Sequence, residues 1–310
     1  DNSGSITAPG GDVALLSGDA VLEVGEAAGG KITLDLSGLM GGSTVNSGSV
    51  DVASATTKGG GVAILGESIS VSGSIDASGE TGGGEVLIGG DFQGSNDEVS
   101  NANFSDVSGS IAADSIANGD GGKVIVWADG KTNFSGSISV VGGQDSGNGG
   151  FVETSGKNLL AFTGIVDASS THGETGDLLL DPIDIEISSG STSGVQNTSN
   201  TWESDDTSGS SILKVSDLLS SLSSANVTIT TQQNASGQTA PAGGDITVSS
   251  AIDNSSNNND LTLIAGEDIA IEAAITMGST GDLTLRAGQR SDLDRGSVAA
   301  LSTITANDLT

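Results

Sequence analysis

The chain has 310 residues, of which 40 are acidic and nine are basic, so its formal net charge is −31. Proteins that bind nucleic acid neutralise phosphates with clustered Lys and Arg, and this acidity with dispersed basic residues excludes ordinary nucleic-acid binding. The absence of cysteine excludes disulfides, thiol catalysis and Cys-ligated metal sites. The 49 glycines suggest a disordered chain, yet a hydrophobic content of 35% is high enough for the chain to bury a core.

The first residues, DNSGSITAPGG, have neither the basic start nor the apolar run of a secretory signal. No stretch approaches the roughly 18 apolar residues of a membrane span. We therefore expect a mature region or an excised piece of a longer chain. The acidity, the absence of cysteine and the Ser, Thr, Asn and Gly bias favour a secreted or bacterial cell-surface protein over a cytosolic enzyme.

Two short motifs alternate along the chain. The first is a Gly pair followed by a β-branched run, as in GGDVALL, GGKITLDL, GGGVAIL, GGGEVLIGG, GGKVIVWADG, GGFVETSG and GGDITV, with degenerate copies GDLLLDP and GDLTLRAG. The second falls between these copies, as in SGSVDVAS, SGSIDASG, SGSIAADS, SGSISVVGG and TGIVDASS. One repeating structural unit therefore contains both motifs.

The alternation of side chains predicts which residues face inward. In ISVSGSIDA, Ile69, Val71, Ile75 and Ala77 share one parity with Gly73 at the bend, and the polar residues take the other. This pattern indicates a half-buried strand that turns a corner at glycine. The same parity recurs in Phe134, Gly136, Ile138 and Val140; in Ile246, Val248 and Ile252; in Ile269, Ile271 and Ile275; and in Leu283 and Leu285.

A strand pair with one corner buries little apolar surface, so each unit must stack on its neighbours. The sequence therefore predicts an all-β fold, a parallel β-helix (β-solenoid) with variable loop insertions. Gly and Asn would supply positive-φ corners. Gly-pair motifs recur about every 19 to 38 residues, and about 20 to 25 residues per coil would give about 12 to 15 coils and a rod some 60 to 70 Å long.

One segment departs from the repeat and divides the chain into three parts. We expect solenoid at 1–187, a polar excursion with a short amphipathic helix at 188–226, and further solenoid at 227–310. The helix is predicted at about 216–224, to cover the side of the solenoid or a break in it, with partner binding as the alternative. Its apolar residues recur at helical spacing: Ile212, Val215, Leu218, Leu219 and Leu222.

Several segments resemble the repeat region of filamentous-haemagglutinin-like exoproteins, the large adhesins exported by two-partner secretion. These are GGGEVLIGGDFQG (82–94), NGDGGKVIVWADG (118–130), GNGGFVETSGKNLLAFTGIVDAS (147–169), TGDLLLDPIDIEIS (175–188) and the later ILKVSDLLSSLSSANVTITTQ and GDITVSSAIDNSSNNNDLTLIAGEDIAIEAAIT. The resemblance extends from about Gly59 to the C-terminus, in the same order. Before Gly59 only the generic repeat matches.

The resemblance implies a right-handed parallel β-helix on a secreted or cell-surface protein, with roles in adhesion, aggregation or biofilm. Its implied partners are a host or neighbouring-cell surface, glycans or matrix polysaccharide, and an outer-membrane transporter for the full-length protein. That transporter recognises an N-terminal secretion domain, whose pattern is not found here.

Acidic groups are the candidates for catalysis, as in polysaccharide-cleaving β-helix enzymes. They are Asp181 with Asp184 and Glu186; Glu203 with Asp205 and Asp206; and Asp292 with Asp294. Each group also fits a charged outer face or loop, and His172, the only histidine, fits a solvated loop better than a triad. We therefore predict a non-enzymatic protein, with no catalytic, cofactor-binding or metal residues assigned.

Calcium is the alternative chemistry, because Asp, Asn and carbonyl oxygens are its ligands. NGDGG at Asn118 and GQDSGNGG at Gly143 have suitable residues but lack the tandem nonapeptide of calcium rolls. Turn formation explains the same residues without a metal, so no cofactor is predicted.

Two tryptophans stand out in a chain with few aromatics. Trp127 has the parity of the outer face, where an apolar residue needs a cover, either the insertion at 96–107 or another copy of the chain. Trp202 would anchor the polar excursion or contact a glycan.

Three functions follow. The first is a structural stalk or adhesive repeat region. The second is a self-assembling extracellular filament subunit that stacks head to tail through uncapped β-helix ends. The third is a polysaccharide-modifying β-helix enzyme.

Overall fold

The computed structural model describes residues 1–18, 41–190, 211–231, 244–288 and 296–310, together with the backbone of a hairpin at 24–27 and 31–34. Almost every strand pairs in parallel with strands of the preceding and following coils. The exception in this part of the chain is the antiparallel hairpin of β3 (Val24–Ala27) and β4 (Lys31–Leu34). The predicted all-β, parallel, solenoid-like architecture is confirmed.

The first face is a nine-stranded parallel sheet in chain order. Each strand lies directly on the corresponding strand of the coil before it, so inward residues stack in register. Its strands are β2 (Asp12–Leu16), β7 (Gly61–Leu65), β10 (Glu85–Ile88), β13 (Lys123–Ala128), β16 (Phe151–Gly156), β19 (Asp177–Leu180), β22 (Asn226–Thr230), β25 (Leu261–Ile264) and β28 (Leu283–Arg286).

The second face departs from chain order at one level. Five strands run in order, β5 (Ser43–Asn46), β8 (Ser68–Val71), β11 (Phe104–Val107), β14 (Lys131–Phe134) and β17 (Leu159–Phe162). The next sheet begins with β21 (Ser211–Lys214), followed by β20 (Ile185–Ser188), β23 (Ile246–Val248), β26 (Ile269–Ile271) and β29 (Val298–Ala300). The later strand β21 therefore lies between β17 and β20, and the Leu160 N–H donates to Ser211 Oγ over 3.0 Å.

The third face is interrupted by the helix. Six strands, β1 (Ser5–Thr7), β6 (Ser49–Asp51), β9 (Ser74–Asp76), β12 (Ser110–Ala112), β15 (Ser137–Ser139) and β18 (Ile165–Asp167), form one sheet, and β24 (Ile252–Asp253), β27 (Ile275–Thr276) and β30 (Ile304–Thr305) form another. The helix α1 (Val215–Leu222) contacts β18 and β24 and so lies in the position of a missing strand. The predicted helix is confirmed. It begins one residue before the predicted start at 216 and ends two residues before the predicted end at 224.

The helix packs on the core through its apolar stripe. Leu218 and Leu222 are buried, and the hydroxyl of Ser224 donates to the Val166 carbonyl of β18 over 2.8 Å. It therefore covers a break in the third face, which is one of the two positions that the sequence left open. Within the described part of the chain, no helix is long and apolar enough to cross a membrane.

The predicted inward residues form the core. Ile69, Val71, Ile75 and Ala77 are all buried. The first-face ladder is continuous from Val62 to Leu283, with its members registered across successive coils: Val62, Val86, Val124, Val152, Leu178, Val227, Leu261 and Leu283. Strand parity therefore predicted the buried side of each face.

The predicted positive-φ glycines occur at other turns, such as Gly89 (φ 77°) and Gly119 (φ 108°), whereas one corner requires glycine for a different reason. Gly48, Gly73, Gly109 and Gly136 stack at the bend between the second and third faces, and none of the four has positive φ. A Cβ at Gly109 would overlap the carbonyl oxygen of Gly73 in the coil below. Close backbone approach between coils therefore excludes side chains at this corner.

The predicted count of 12 to 15 coils is wrong for the described residues, because the first face contains nine strands. At about 4.8 Å per strand, these nine strands span about 40 Å. The advance along the chain per coil ranges from 22 residues between Asp260 and Asp282 to 49 between Asp177 and Asn226. Long insertions therefore consume residues without lengthening the rod.

Candidate functional site

A loop of residues 90–101, here called the cover loop, lies on the outer side of the first face. It connects β10 to β11, and its base is closed by the Ala102 N–H, which donates to the Gly89 carbonyl over 2.7 Å. Asp91 begins a short 3-10 turn, Phe92–Gly94. The outer residues of the face beneath, Ile125 and Trp127, are apolar and buried.

Trp127 is covered by this loop. A side chain added at Gly90 or Gly94 would meet the Trp127 ring, and Gly94 has φ +56°. The indole Nε1–H donates to Asp129 Oδ1 over 3.0 Å, and Asn101 Nδ2 donates to the same atom over 3.2 Å. Of the two predicted covers, the structure shows the intramolecular one, at residues 90–101 rather than 96–107, because 104–107 form strand β11.

Charged side chains anchor the start of the cover loop. Lys123 Nζ lies 2.7 Å from Asp91 Oδ1 and 3.0 Å from Glu85 Oε1. Burial disfavours the charged form of Asp91, but its hydrogen bonds with Lys123, Asn96 and the Phe92 N–H outweigh burial and lower its pKa. Desolvation likewise opposes the charge on Lys123, and its bonds to Asp91 and Glu85 outweigh it and raise its pKa.

Two carboxyls lie buried beneath the turn. Glu153 on β16 is 0% exposed and Asp181, just after β19, is 3% exposed. Gln93 joins them: its backbone N–H donates to Glu153 Oε2, and its side-chain Nε2 donates to Asp181 Oδ2, each over 3.0 Å. Among the described residues, Glu153 Oε1 and Asp181 Oδ1 find no hydrogen-bond partner.

Burial dominates the acid–base properties of this pair. It raises the pKa of Glu153 to about 7, against the opposing hydrogen bonds from the Gln93 N–H and the Ser155 hydroxyl. Burial, reinforced by the negative charge of Glu153, raises the pKa of Asp181 well above its usual range, with the Gln93 amide opposing it. Such a pair holds a proton more tightly than solvated carboxyls do.

Gln93 adopts an uncommon backbone conformation to make both contacts. It has φ 52° and ψ 26°, and it is the one non-glycine residue with positive φ in the described chain. Non-glycine residues in this region carry backbone strain, which persists where the surroundings compensate for it. The two hydrogen bonds to buried carboxyls are that compensation.

The predicted acidic group at 181–186 does not form one site. Asp181 is buried beside Glu153, whereas Asp184 Oδ1 accepts from the backbone N–H groups of Gly244 and Asp245 over 2.7 and 2.9 Å. Glu186 accepts from the Ser249 hydroxyl over 2.5 Å. Glu203, Asp205, Asp206, Trp202, Asp292 and Asp294 lie outside the described residues.

The corner aspartates act as clamps between coils. Asp245 Oδ1 accepts from the Asp268 N–H over 3.0 Å, and Asp268 Oδ1 accepts from the Ser297 N–H over 2.7 Å. With Asp184 this forms a ladder in which each carboxylate holds the backbone of the following coil. Some of the acidic side chains therefore accept hydrogen bonds from backbone N–H groups at the corners. Without these carboxylates the N–H groups would bond to water.

The candidate calcium turns have the same role. Asp120 Oδ1 accepts from the Asn148 N–H over 2.7 Å, and Asn148 Oδ1 accepts from the Glu174 N–H over 2.9 Å. Asn118 Oδ1 accepts from the Ser146 hydroxyl over 3.2 Å. Where the structure describes the chain, no three His, Asp or Glu side chains are grouped to hold a metal ion.

His172 lies exposed in a turn, where its backbone N–H contacts Ser170 Oγ at 3.3 Å.

Sequence reasoning missed Glu153 and Gln93. The signal available for Glu153 was an acidic residue at outer parity, in register with apolar Ile125 and Leu179 of neighbouring coils.

No model of a known protein family matches this chain, and no curated protein is similar enough in sequence to count as a relative.

Proposed function

We propose that this chain is a non-enzymatic structural stalk and adhesive repeat region of a secreted bacterial surface exoprotein. The observation that carries the proposal is the continuous in-register stacking of nine first-face strands, which makes a stiff rod with variable loops on its sides. Extension is a property of the stacked coils, and the loops supply surfaces for contact. The charge of −31 keeps such a rod soluble through self-repulsion.

The finer features of the proposal rest on the resemblance to filamentous-haemagglutinin-like exoproteins. They are a right-handed winding of the coils, a location at the cell surface or outside the cell, and roles in adhesion, aggregation or biofilm. The proposed partners are a host or neighbouring-cell surface and glycans or matrix polysaccharide. In the full-length protein an outer-membrane transporter would export the chain.

Bead retention tests the adhesive function. Polystyrene beads coated with the purified chain are counted on epithelial and bacterial cell layers, with albumin-coated beads and beads carrying the heat-unfolded chain as controls. We expect several-fold more beads retained with the folded chain, and excess soluble chain should compete. Equal retention of all three bead types, or retention that soluble chain does not reduce, would contradict the proposal.

Self-assembly into filaments is the second candidate function, and the last described coil favours it. In the described chain its strands β29 and β30 pair on one side only, whereas the far edge of β28 is bonded to the segment 307–310. Val298, Leu301 and Leu309 are 44%, 78% and 53% exposed. Open strand edges beside apolar side chains template the addition of further strands. A second copy would stack its first coil on this end.

Negative-stain microscopy and sedimentation distinguish fibres from short rods. Leu301→Lys places a charge on the apolar end and should abolish fibres. The matched control is Ile165→Lys, which charges a side chain that is 59% exposed in the middle of the rod and should leave fibres unchanged. Monodisperse rods of the unmodified chain at high concentration would remove this candidate.

A polysaccharide-modifying enzyme remains the third hypothesis. Glu153 and Asp181 are the residue types that glycoside hydrolases use, but their burial beneath the cover loop separates them from a polymer. Assays on acidic and neutral polysaccharides, repeated with Asp181→Asn, test it. Cleavage that is lost in this variant would replace the structural proposal.

A further inference from the structure

We propose that Glu153, Asp181 and Gln93 form a proton-dependent latch, which holds the cover loop on the first face in acid and releases it as the pH rises. This inference is independent of the adhesive function, because it concerns the conformation of one loop. It rests on three observations: two buried carboxyls on adjacent coils, one residue that bridges them, and two carboxyl oxygens that find no partner among the described residues.

The hydrogen-bond inventory favours a proton on the pair. Ionised carboxylates only accept hydrogen bonds; Gln93 supplies one donor to each group, and the Ser155 hydroxyl supplies a second donor to Glu153. The remaining oxygens, Glu153 Oε1 and Asp181 Oδ1, are buried and have no partner in the part of the chain that the structure describes. A proton on either group gives the pair a donor and removes one of two buried like charges, so the closed loop is compatible with the protonated pair.

The surrounding charges do not compensate for ionisation. Asp91 adds negative charge near Glu153, and Lys123 offsets it only in part because its ammonium is held by Asp91 and Glu85. On the neighbouring strands, Asp177 lies on β19 and Asp129 follows β13, both acidic. Lys157 follows β16 itself, but of the charges that act on Glu153 the negative charge of Asp91 outweighs that of Lys123.

The sign of the pH effect follows from linkage. In the closed loop both carboxyls have pKa values above those of solvated groups, so the closed state binds protons more tightly than an open one. Closure is therefore fully favoured below the ordinary pKa of 4.5 for Glu and is weakened as the pH rises through about 7, the pKa of Glu153.

Release would change the surface of the rod. Phe92 of the cover loop packs on Phe151 with ring centroids 5.9 Å apart, and both line a shallow depression of about 510 Å³ with Lys58 and Lys123. The loop also covers Trp127 through Gly90 and Gly94. Opening therefore removes one wall of the depression and exposes the indole.

Trp127 makes the test direct. In a Trp202→Phe background it is the only tryptophan, so its emission maximum and acrylamide quenching report loop opening. Between pH 4 and pH 9 we expect a red shift and increased quenching, with the change falling between the ordinary Glu pKa of 4.5 and the raised Glu153 pKa of about 7. In the same background, Glu153→Gln with Asp181→Asn should give a blue-shifted, weakly quenched signal at every pH, because amides cannot ionise.

Two matched variants separate the latch from other titrations. Asp106 on β11 also has a pKa raised by burial, against its bond with Asn133, so Asp106→Asn should leave the transition unchanged. Asp129→Asn removes the carboxylate that contacts the indole and should also retain the transition. Loss of the transition in either variant, but not in the double amide variant, would overturn the proposal.

Other outcomes are equally decisive. A flat profile for the Trp202→Phe chain, or a transition that persists in a folded double amide variant, would refute the latch. Closure at pH 9 on adding calcium chloride would assign the pair to a cation instead. If circular dichroism shows that the double variant does not fold, hydrogen exchange in the unmodified chain decides. After correction for intrinsic rates, we expect exchange at residues 90–101 to become faster at high pH relative to exchange at residues 131–140.

Discussion

The backbone N–H of Gln93 donates to Glu153 Oε2 over 3.0 Å, and this contact joins residues 60 positions apart in the chain. It brings a loop with an uncommon backbone conformation onto a carboxyl with 0% exposure. Each residue has an energetic cost by itself, because Gln93 carries backbone strain and Glu153 is a buried ionisable group. Their pairing makes this level of the rod sensitive to protons.

The first prediction concerns overall stability and pH. Glu153→Gln with Asp181→Asn should raise the melting temperature relative to the unmodified chain at pH 8, because the amides avoid the cost of buried ionised carboxyls. The difference should shrink at pH 5, where the pair is protonated. Melting curves at the two pH values check this, and an equal difference at both would contradict it.

The second prediction concerns the glycine corner. Gly109→Ala should destabilise the chain by about 1–3 kcal/mol or more, because its Cβ would overlap the Gly73 carbonyl. Gly4→Ala is the matched control, since nothing lies within 4 Å of a Cβ there. Its effect should stay within about 0.5 kcal/mol. Urea unfolding followed by circular dichroism measures both, and equal effects would rule out the steric explanation.

The third prediction concerns the aromatic stack on the second face. Phe134 and Phe162 are fully buried with ring centroids 5.4 Å apart, so Phe134→Ala should cost about 3–5 kcal/mol through the cavity it leaves. Ile165→Ala, at a side chain 59% exposed, should change stability by only about 0.5 kcal/mol. Similar unfolding midpoints for the two variants would show that this stack does not contribute to the core.

The fourth prediction concerns the aspartate ladder. Asp245→Ala removes the acceptor for the Asp268 N–H and should destabilise the chain by about 1 kcal/mol. Asp245→Asn keeps an oxygen in the same place and should cost much less. Thermal melts compare the two, and hydrogen exchange at Asp268 should increase only in the alanine variant. If the asparagine variant is equally unstable, charge rather than hydrogen bonding is responsible.

Local patterns predicted most of the fold. The parity of Ile69 and Val71, the glycine at the bend and the helical spacing of Leu218 and Leu222 are properties of short windows, and each is reproduced in the structure. The number of coils was overestimated, because insertion length varies independently of the strand core. The position of β21 between β17 and β20 is not predictable from the sequence, because the residues of β21 do not indicate which strand it will pair with.

The sequence by itself determined that the chain alternates strands and glycine corners, and that it must stack to bury its apolar residues. It also determined the acidity and the absence of cysteine. Only the tertiary structure decided which acidic residues meet. Glu153 and Asp181 come together because registered coils place β16 beside β19, and Gln93 reaches them because the cover loop folds back across two coils. Such contacts depend on register and loop path, which no local pattern encodes.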